Sequence, residues 1–157
     1  MAIVNDSRKH GHGLPERFAL DQQLCFVLYE TTNALQRVYR RLLKSHRLTY
    51  LQYLVILVLL REGSCSLKNL ADKLSLDSPS LTPVVKRLEK NGLVNRTRNP
   101  DDERTLVIEL TDLGRSLLDA IPDIQTTISN CWGLPPAQIS RFREMLGVVK
   151  DSLMAQP

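Results

Sequence analysis

The segment from Ser66 to Leu110 constrains the fold more than any other part of the chain, because two short amphipathic helices and a strand pair follow one another closely. Ser66 is placed to be the N-cap of the first helix, in which apolar residues recur at intervals of three and four. The second helix repeats this pattern, begins at Asp77 or Ser78 and ends at Gly92. Helices this short are not stable alone, so both must bury their apolar stripes in a shared core. The stripes consist of Leu67, Leu70, Ala71 and Leu74, and of Leu81, Val84, Val85 and Leu88.

The opposite face of the second helix is polar and basic. Small hydroxyl side chains lie near its start and cations lie further along, which suits a helix inserted N-terminus first into a DNA major groove. An ordinary solvated face with surface lysines is the alternative, and the two helices alone do not decide between these interpretations. Pro83 lacks a backbone donor and is expected to distort the first turns. The candidate DNA-binding residues of this helix are Ser78, Ser80, Thr82, Lys86, Arg87 and Lys90.

Two β-prone runs follow this helix, separated by a turn that contains an Asn-Pro and an Asp-Asp pair. A hairpin directly after a candidate recognition helix has the position of a wing, which favours the DNA-binding interpretation. Arg104, near the tip, is suited to a narrow minor groove, where negative potential is concentrated. Asp102 is expected to orient the Arg104 guanidinium through a bidentate pair.

The wing sequence resembles that of a known family. The run NGLVNRTRNPDDERTLVIELTDLG is similar to the wing of the MarR family of winged-helix regulators, whose Asp-x-Arg hallmark is Asp102-Glu103-Arg104 here. Upstream, LDQQLCFVLYETTNALQRVYRRLL, LTYLQYLVILVLL and LDSPSLTPVVKRLE resemble the OhrR branch, the organic-hydroperoxide sensors of that family. The resemblance extends from about Leu20 to the C-terminus. It implies a mainly α, winged helix-turn-helix protein that binds a double-stranded DNA operator.

The segments outside the winged region are predicted to be helical and to form a dimerisation layer. Residues 20–47 are expected to form one long helix, because an apolar seam recurs there in steps of four and three. Gly63 is predicted to end the buried helix that follows, and Thr111 to cap the helix after the wing. Pro122 is expected to interrupt or kink that helix, and residues 133–136 to form a break before the last one. The predicted organisation is a flexible arm (1–19), the first dimerisation helix with a central buried helix (20–62), the winged helix-turn-helix (63–110) and C-terminal dimerisation helices (111–157). The alternative is a monomer in which the outer helices only cap the winged region.

Cys25 is the candidate redox sensor. A free cysteine on an apolar helix is usually a small buried hydrophobe, but Tyr39 follows it by two heptads on the same helix side. That separation is about 21 Å along one helix, so only an antiparallel second copy would bring the two together, and Tyr50 could join them. Phenol hydroxyls donated to sulfur favour the thiolate, which attacks peroxides. The resemblance implies that this cysteine senses peroxide and that two tyrosines of the partner subunit, here Tyr39 and Tyr50, hydrogen-bond it.

A second cysteine also gains a possible role from the resemblance. Some members of the OhrR branch carry a cysteine in the region of Cys131 that captures the sulfenic acid formed on the other subunit. The alternatives are a buried thiol beside Trp132 and resolution of oxidised Cys25 by a small thiol. Cys65 matches no sensor position.

Composition and charge indicate where the protein is located in the cell and how it would bind DNA. The chain of 157 residues carries a formal net charge of only +4, so DNA affinity would come from the placement of charges and from two copies. No signal peptide or long apolar run is visible, which predicts a cytoplasmic protein without a membrane partner. The three cysteines lack zinc-site spacing and the His10-Gly11-His12 pair lacks a third ligand, so neither a metal nor a cofactor is expected.

These observations give one functional hypothesis and two rivals. The hypothesis is a redox-sensing repressor, not an enzyme, that binds a pseudo-palindromic operator as a homodimer and is released when an organic hydroperoxide oxidises Cys25. One rival is a MarR-type regulator released by a reversible phenolic or drug-like ligand, with Cys25 structural. The other is a thiol peroxidase, against which the absence of a CxxC motif and of any βαβ pattern argues.

Overall fold

The computed structural model describes residues 19–99 and 102–156, without the side chains of residues 102–104 and 118. All but the last residue of the predicted N-terminal arm therefore lie outside the described residues. The described chain is mainly helical and contains a three-stranded antiparallel sheet. Its helices are α1 (Leu24–Leu42), α2 (Tyr50–Glu62), α3 (Leu67–Leu74), α4 (Ser78–Lys90), α5 (Asp112–Ser116), α6 (Ile121–Cys131) and α7 (Pro136–Met154), and its strands are β1 (Ser64–Ser66), β2 (Val94–Asn99) and β3 (Asp102–Leu110).

The chain divides into two compact units between Tyr50 and Leu51. In the first unit, α1 is shorter at both ends than the predicted helix of residues 20–47. A 3-10 turn, Leu20–Gln22, precedes it, and Arg47 adopts a φ of +54° beyond its C-terminal end. A residue with this left-handed backbone cannot continue a right-handed helix. The turn beyond α1 is closed by the Leu48 amide, which donates to the Leu43 carbonyl oxygen at 3.2 Å.

In the second unit, α2 has the buried character predicted from its nearly continuous apolar sequence. Val55, Ile56 and Leu59 have no exposed surface, and Tyr53 is only 3% exposed. A helix that is apolar on all sides belongs in the interior of its domain. Gly63, with a φ of +80°, ends the helix at the predicted position.

The sheet joins both ends of the helix-turn-helix segment. Its strand order is β1-β3-β2, and both neighbouring pairs are antiparallel. Cys65 of β1 and Arg96 of β2 are the register partners of Ile108 on the two sides of β3. Strand β1 was not predicted, because three residues of alternating serine and cysteine carry no strand pattern of their own. The predicted wing corresponds to β2 and β3.

The ends of α3 and α4 confirm the predicted caps. Ser66 Oγ accepts the Asn69 amide at 3.1 Å, and Asp77 Oδ1 accepts the Ser80 amide at 2.6 Å. Gly92, at a φ of +71°, ends α4 as predicted. These contacts supply partners for backbone groups that a helix end leaves unsatisfied. Helix α4 continues through Pro83 without interruption, although a distortion was expected there.

The residues after the wing form three further helices. Thr111 caps α5 as predicted: its Oγ1 accepts the Gly114 amide at 3.0 Å and its hydroxyl donates to the Gly92 carbonyl oxygen at 2.6 Å. A 3-10 turn, Leu117–Asp119, separates α5 from α6, so the interruption falls just before Pro122. The predicted break at 133–136 lies between α6 and α7.

Candidate nucleic-acid interface and redox site

Helix α4 has one buried and one exposed side. Leu81, Val85 and Leu88 are at most 1% exposed, so the stripe predicted from the sequence faces the interior. Four of the six residues predicted to bind DNA lie on the exposed side of the helix, and the other two lie at its edge. Ser80, Lys86, Arg87 and Lys90 are exposed, and Ser78 and Thr82 are half-buried.

The start of α4 carries two hydrogen bonds that limit what its side chains can do. The Thr82 hydroxyl donates to the Ser78 carbonyl oxygen at 2.8 Å, so its proton is engaged and its oxygen remains an acceptor. Hydrogen bonding from Ser80 lowers the pKa of Asp77, which stabilises the carboxylate as the helix cap. The negative charge at this end also complements the positive end of the helix dipole.

The wing packs beside α4 and encloses a small groove with it. A cavity of about 220 Å³ lies between the two, lined by side chains of α4, of both wing strands and of Leu67. Thr82 and Lys86 contribute from α4, and Arg96 and Leu106 contribute from the wing. The side chains of Asp102 and Arg104, predicted to act at the wing tip, lie outside the described residues.

An ion pair that the sequence analysis missed connects α4 to the wing. Arg96 of β2 donates to Glu89 Oε2 twice, from Nε at 2.8 Å and from Nη2 at 2.5 Å. The only sequence signal was the opposite charge of two residues that flank the turn ending α4. Such a signal is too common on protein surfaces to identify a particular pair.

The two tyrosines of the candidate redox site lie together. The ring centroids of Tyr39 and Tyr50 are 4.3 Å apart, and the planes are inclined by 34°. Burial raises the pKa of Tyr50, so its phenol stays protonated and can donate a hydrogen bond at neutral pH. Tyr39 also belongs to α1, and the contact with Tyr50 links that helix to the first residue of α2.

Cys25 lies apart from these tyrosines within one chain. It is the second residue of α1, is exposed, and its Sγ donates to Gln23 Oε1 at 3.6 Å. Fourteen residues separate it from Tyr39 on the same helix, a distance of about 21 Å along the axis. A single α1 helix therefore cannot bring the thiol into hydrogen-bond contact with the Tyr39 phenol.

The other two cysteines have contrasting surroundings. Cys131 is the last residue of α6 and is exposed, two positions before Gly133, which has a φ of +65°. Cys65 is buried in β1, and burial together with the nearby Glu62 carboxylate raises the pKa of its thiol. Lys73, which pairs with Glu62 at 3.1 Å, opposes this effect. A thiol with a raised pKa is a poor nucleophile at neutral pH.

Two classes of feature are absent from the part of the chain that the structure describes. No three His, Cys, Asp or Glu side chains there are placed to hold a metal ion. No helix in the same part combines the length and apolar character needed to cross a bilayer.

A helix-turn-helix followed by a wing, with a basic face on the second helix, defines the class of winged-helix DNA-binding regulators. Comparison with known proteins gives the family. Residues 37–121 match the model of the transcriptional regulator SarA/Rot family. The HTH-type transcriptional regulator TtmR of Methylorubrum extorquens is 42% identical over 138 residues, covering 88% of this chain and 71% of TtmR. The organic hydroperoxide resistance transcriptional regulator of Bacillus subtilis is 39% identical over 113 residues, covering 72% of this chain and 77% of that protein.

Solved structures agree with the sequence relatives. AbfR of Staphylococcus epidermidis, solved in its reduced form bound to DNA, is 37% identical with a TM-score of 0.73, covering 88% of this chain and 97% of AbfR. A second structure holds the disulfide form of AbfR, at 34% identity and a TM-score of 0.61, covering 88% of this chain and 92% of that one. The chain belongs to the MarR/SarA type of winged-helix transcriptional regulators, and the Bacillus regulator is one of its homologues. It is a DNA-binding regulator and not an enzyme, as predicted.

Proposed function

We propose that the protein is a homodimeric repressor that senses organic hydroperoxides. In the reduced state it binds a pseudo-palindromic operator, and oxidation of Cys25 releases it. The homology to an organic hydroperoxide resistance regulator and the likeness to a regulator solved in reduced and disulfide states support this proposal.

The dimer is proposed from the outer helices. Neither α1 nor α7 has a buried residue, although each carries large apolar side chains. Leu24 is 63% exposed and Val148 is 68% exposed. Exposed apolar surface on this scale usually marks an interface. Other side chains that a partner subunit would cover are Val27, Phe142, Met145 and Leu153.

In the proposed complex with DNA, α4 enters the major groove and the wing reaches the minor groove. Thr82 and Arg87 are the proposed base-reading residues, and Lys86 and Lys90 are the proposed phosphate contacts. Arg104, oriented by Asp102, is proposed to enter the minor groove. Two copies related by a two-fold axis would read half-sites roughly 34–36 Å apart.

One observation carries the redox proposal: Tyr39 and Tyr50 are paired, while Cys25 lies about 21 Å along α1 from Tyr39. Two copies of α1 running antiparallel would place Cys25 of each subunit beside the tyrosine pair of the other. Two phenol donors at the sulfur would stabilise the thiolate, which is the nucleophilic form. The sensor site is thus proposed to be complete only in the dimer.

The proposed chemistry has two steps. The Cys25 thiolate attacks the distal oxygen of a hydroperoxide; the O–O bond breaks, the sulfur becomes a sulfenic acid, and the released alkoxide takes a proton to give an alcohol. The Cys131 thiol of the partner subunit then attacks that sulfur, and a disulfide forms with loss of water. A disulfide requires Cα atoms within about 7 Å of each other, and in the reduced dimer we expect the two cysteines to lie farther apart than that. Its formation would therefore rearrange the dimer and change the spacing of the two α4 helices.

The test uses a DNA duplex that the reduced wild-type protein selects from a random library. Binding to this duplex is measured with and without cumene hydroperoxide, for the wild type and for Cys25→Ser. We expect peroxide to release the wild type and to leave Cys25→Ser bound.

The buried Cys65 provides the matched control, because Cys65→Ser removes a thiol but not the proposed sensor. This variant should bind DNA and respond to peroxide as the wild type does. Release of Cys25→Ser by peroxide would contradict the proposal. Release of the wild type by a phenolic ligand without thiol oxidation would favour a reversible-ligand regulator.

A further inference from the structure

The ion pair between Glu89 and Arg96 joins the two elements that are proposed to contact DNA, helix α4 and the wing. Glu89 lies in the last turn of α4, and Arg96 lies near the start of the wing on β2. Both guanidinium bonds converge on one carboxylate oxygen, at 2.8 and 2.5 Å. The Arg96 side chain is 23% exposed and that of Glu89 is 37% exposed, so the pair is partly shielded from water. Two hydrogen bonds to one partly shielded carboxylate oxygen restrict where the guanidinium can lie relative to Glu89.

The pair spans the turn that converts the helix into the wing. Between its partners the chain makes a left-handed turn at Gly92 and then enters β2. Arg96 is in register with Ile108, which is 1% exposed, so its backbone is fixed to the buried part of the sheet. The pair therefore connects α4 to the base of the wing at a second point beyond the covalent turn.

We propose that Glu89 and Arg96 are positioning residues that set the angle between α4 and the wing. The inference rests on the proposed placement of α4 in the major groove and the wing in the minor groove. The major-groove contact of α4 and the minor-groove contact of the wing form together at full strength only if the angle between the two elements matches the DNA. Without the pair, the wing is held to α4 by the turn and by packing alone, and alignment would have to be restored on binding.

Because Glu89 is negatively charged, the direction in which its replacement changes DNA affinity tests this proposal. DNA is a polyanion, so the removal of a carboxylate from a DNA-binding helix should by charge alone strengthen binding. Loss of a positioning contact should weaken it. Glu89→Gln removes the charge with little change of shape, and the two explanations predict opposite results.

The experiment measures binding of Glu89→Gln, Arg96→Gln and the double variant to the duplex selected by the wild type, all in the Cys25→Ser background. We expect each single change to weaken binding about tenfold. The double variant should bind no more weakly than the weaker-binding of the two single variants, because both residues act through one contact. Asp72→Asn is the control, because Asp72 is an exposed acidic residue of α3 without an ion pair among the described residues. It should bind as well as the parent or slightly better. Tighter binding by Glu89→Gln, or additive losses in the double variant, would overturn the proposal.

Coupling to the wing gives the second measurement and separates this inference from the proposed DNA contacts. Arg104→Ala is introduced into the parent and into Glu89→Gln. If the pair aligns the wing, the affinity lost on Arg104→Ala should be smaller in the Glu89→Gln background, whereas equal losses would overturn the positioning role. If Arg104→Ala has no effect in the parent, the proposed wing contact is wrong, and the positioning inference is wrong with it. Melting temperatures check folding, and a swapped variant, Glu89→Arg with Arg96→Glu, should recover affinity relative to either swap alone.

Discussion

The rings of Tyr39 and Tyr50 lie 4.3 Å apart between centroids, and they pair the end of α1 with the first residue of α2. Each phenol can donate one hydrogen bond. A phenol is already protonated at physiological pH, and burial raises the pKa of Tyr50 further, so this donor persists throughout that range. In the proposed dimer these donors meet the Cys25 sulfur of the other subunit.

Removal of either phenol hydroxyl should slow the oxidation of Cys25. A hydrogen bond to a charged group contributes about 1.5–3 kcal/mol, so Tyr39→Phe and Tyr50→Phe should each lower the rate roughly 10- to 100-fold. The rate is measured as loss of free thiol after mixing with cumene hydroperoxide. Tyr29→Phe is the matched control, since Tyr29 lies on the same helix as Tyr39, is 64% exposed and is not a proposed hydrogen-bond donor to Cys25. Equal slowing in all three variants would remove Tyr39 and Tyr50 from the sensor.

Cys131 should determine whether oxidation creates a covalent dimer. Organic hydroperoxide is expected to convert the wild type into a reducible dimer on a non-reducing gel, because Cys131 is exposed at the end of a helix. Helix ends have few hydrogen bonds to lose and open at low cost. Cys131→Ser should abolish the covalent dimer and Cys65→Ser should not. A dimer that survives in Cys131→Ser but disappears in Cys65→Ser would transfer the resolving role to Cys65.

Arg104→Ala should weaken DNA binding and reduce its dependence on salt. If Arg104 neutralises one phosphate-equivalent of charge, the slope of log affinity against log salt should fall in magnitude by about one. Binding of the wild-type-selected duplex is titrated at several salt concentrations. An unchanged affinity with an unchanged slope would place Arg104 outside the interface.

Gly114 should tolerate no side chain. A Cβ atom at this position would lie 2.1 Å from the Leu93 carbonyl oxygen, a backbone atom that cannot move aside without disturbing the start of the wing. Gly114→Ala is expected to cost about 3 kcal/mol of unfolding free energy or more, the upper end of overpacking effects. In α7, an added Cβ at Gly147 meets nothing within 4 Å, so Gly147→Ala should stabilise the helix by up to about 1 kcal/mol. Denaturant unfolding of both variants checks the contrast, and a Gly114→Ala protein as stable as the wild type would contradict it.

The Asp77 cap should make stability depend on pH in one direction. Hydrogen bonding from Ser80 lowers the pKa of Asp77 in the folded state from its ordinary value of 3.8. Its contribution is therefore fully present above that value and is lost as the pH falls through the lower folded pKa. Asp77→Asn keeps a capping oxygen but does not titrate, so the melting temperature of the wild type relative to this variant should be higher at pH 7 than at pH 3. A difference that does not change with pH would show that the carboxylate charge is not part of the cap.

Local features of the fold were predictable and distant pairings were not. Ser66, Gly92 and Thr111 were identified because a cap or a left-handed turn depends on residues at most three or four positions away. Strand β1 was missed because its partner strand, around Ile108, lies some forty residues later and the pairing is invisible in Ser64–Ser66 alone. The end of α1 was placed five residues too late, because nothing in the basic sequence of residues 43–47 marks the turns that replace the helix there.

In the candidate site, too, local features were predictable and contacts between distant residues were not. The exposed face of α4 followed from helical periodicity, and its orientation is confirmed by the burial of Leu81, Val85 and Leu88. The pairing of Glu89 with Arg96 depends on how tightly the chain turns at Gly92, which residue types alone do not specify. A resemblance to relatives could suggest Cys25 and its two tyrosines, but only coordinates could show that Tyr39 and Tyr50 are in contact.

The pairing of β1 with β3 brings the beginning and the end of the DNA-reading segment together. Ser64 is in register with Glu109 and Ser66 with Val107, so the chain enters and leaves this segment at points roughly 5 Å apart. A segment whose two ends are neighbours can be transferred as a unit into another protein, provided that the chain ends that receive it are also close together. Operator preference could therefore be exchanged between related regulators by replacing residues 64–110 as one piece, while the helices outside it keep their own response to oxidants.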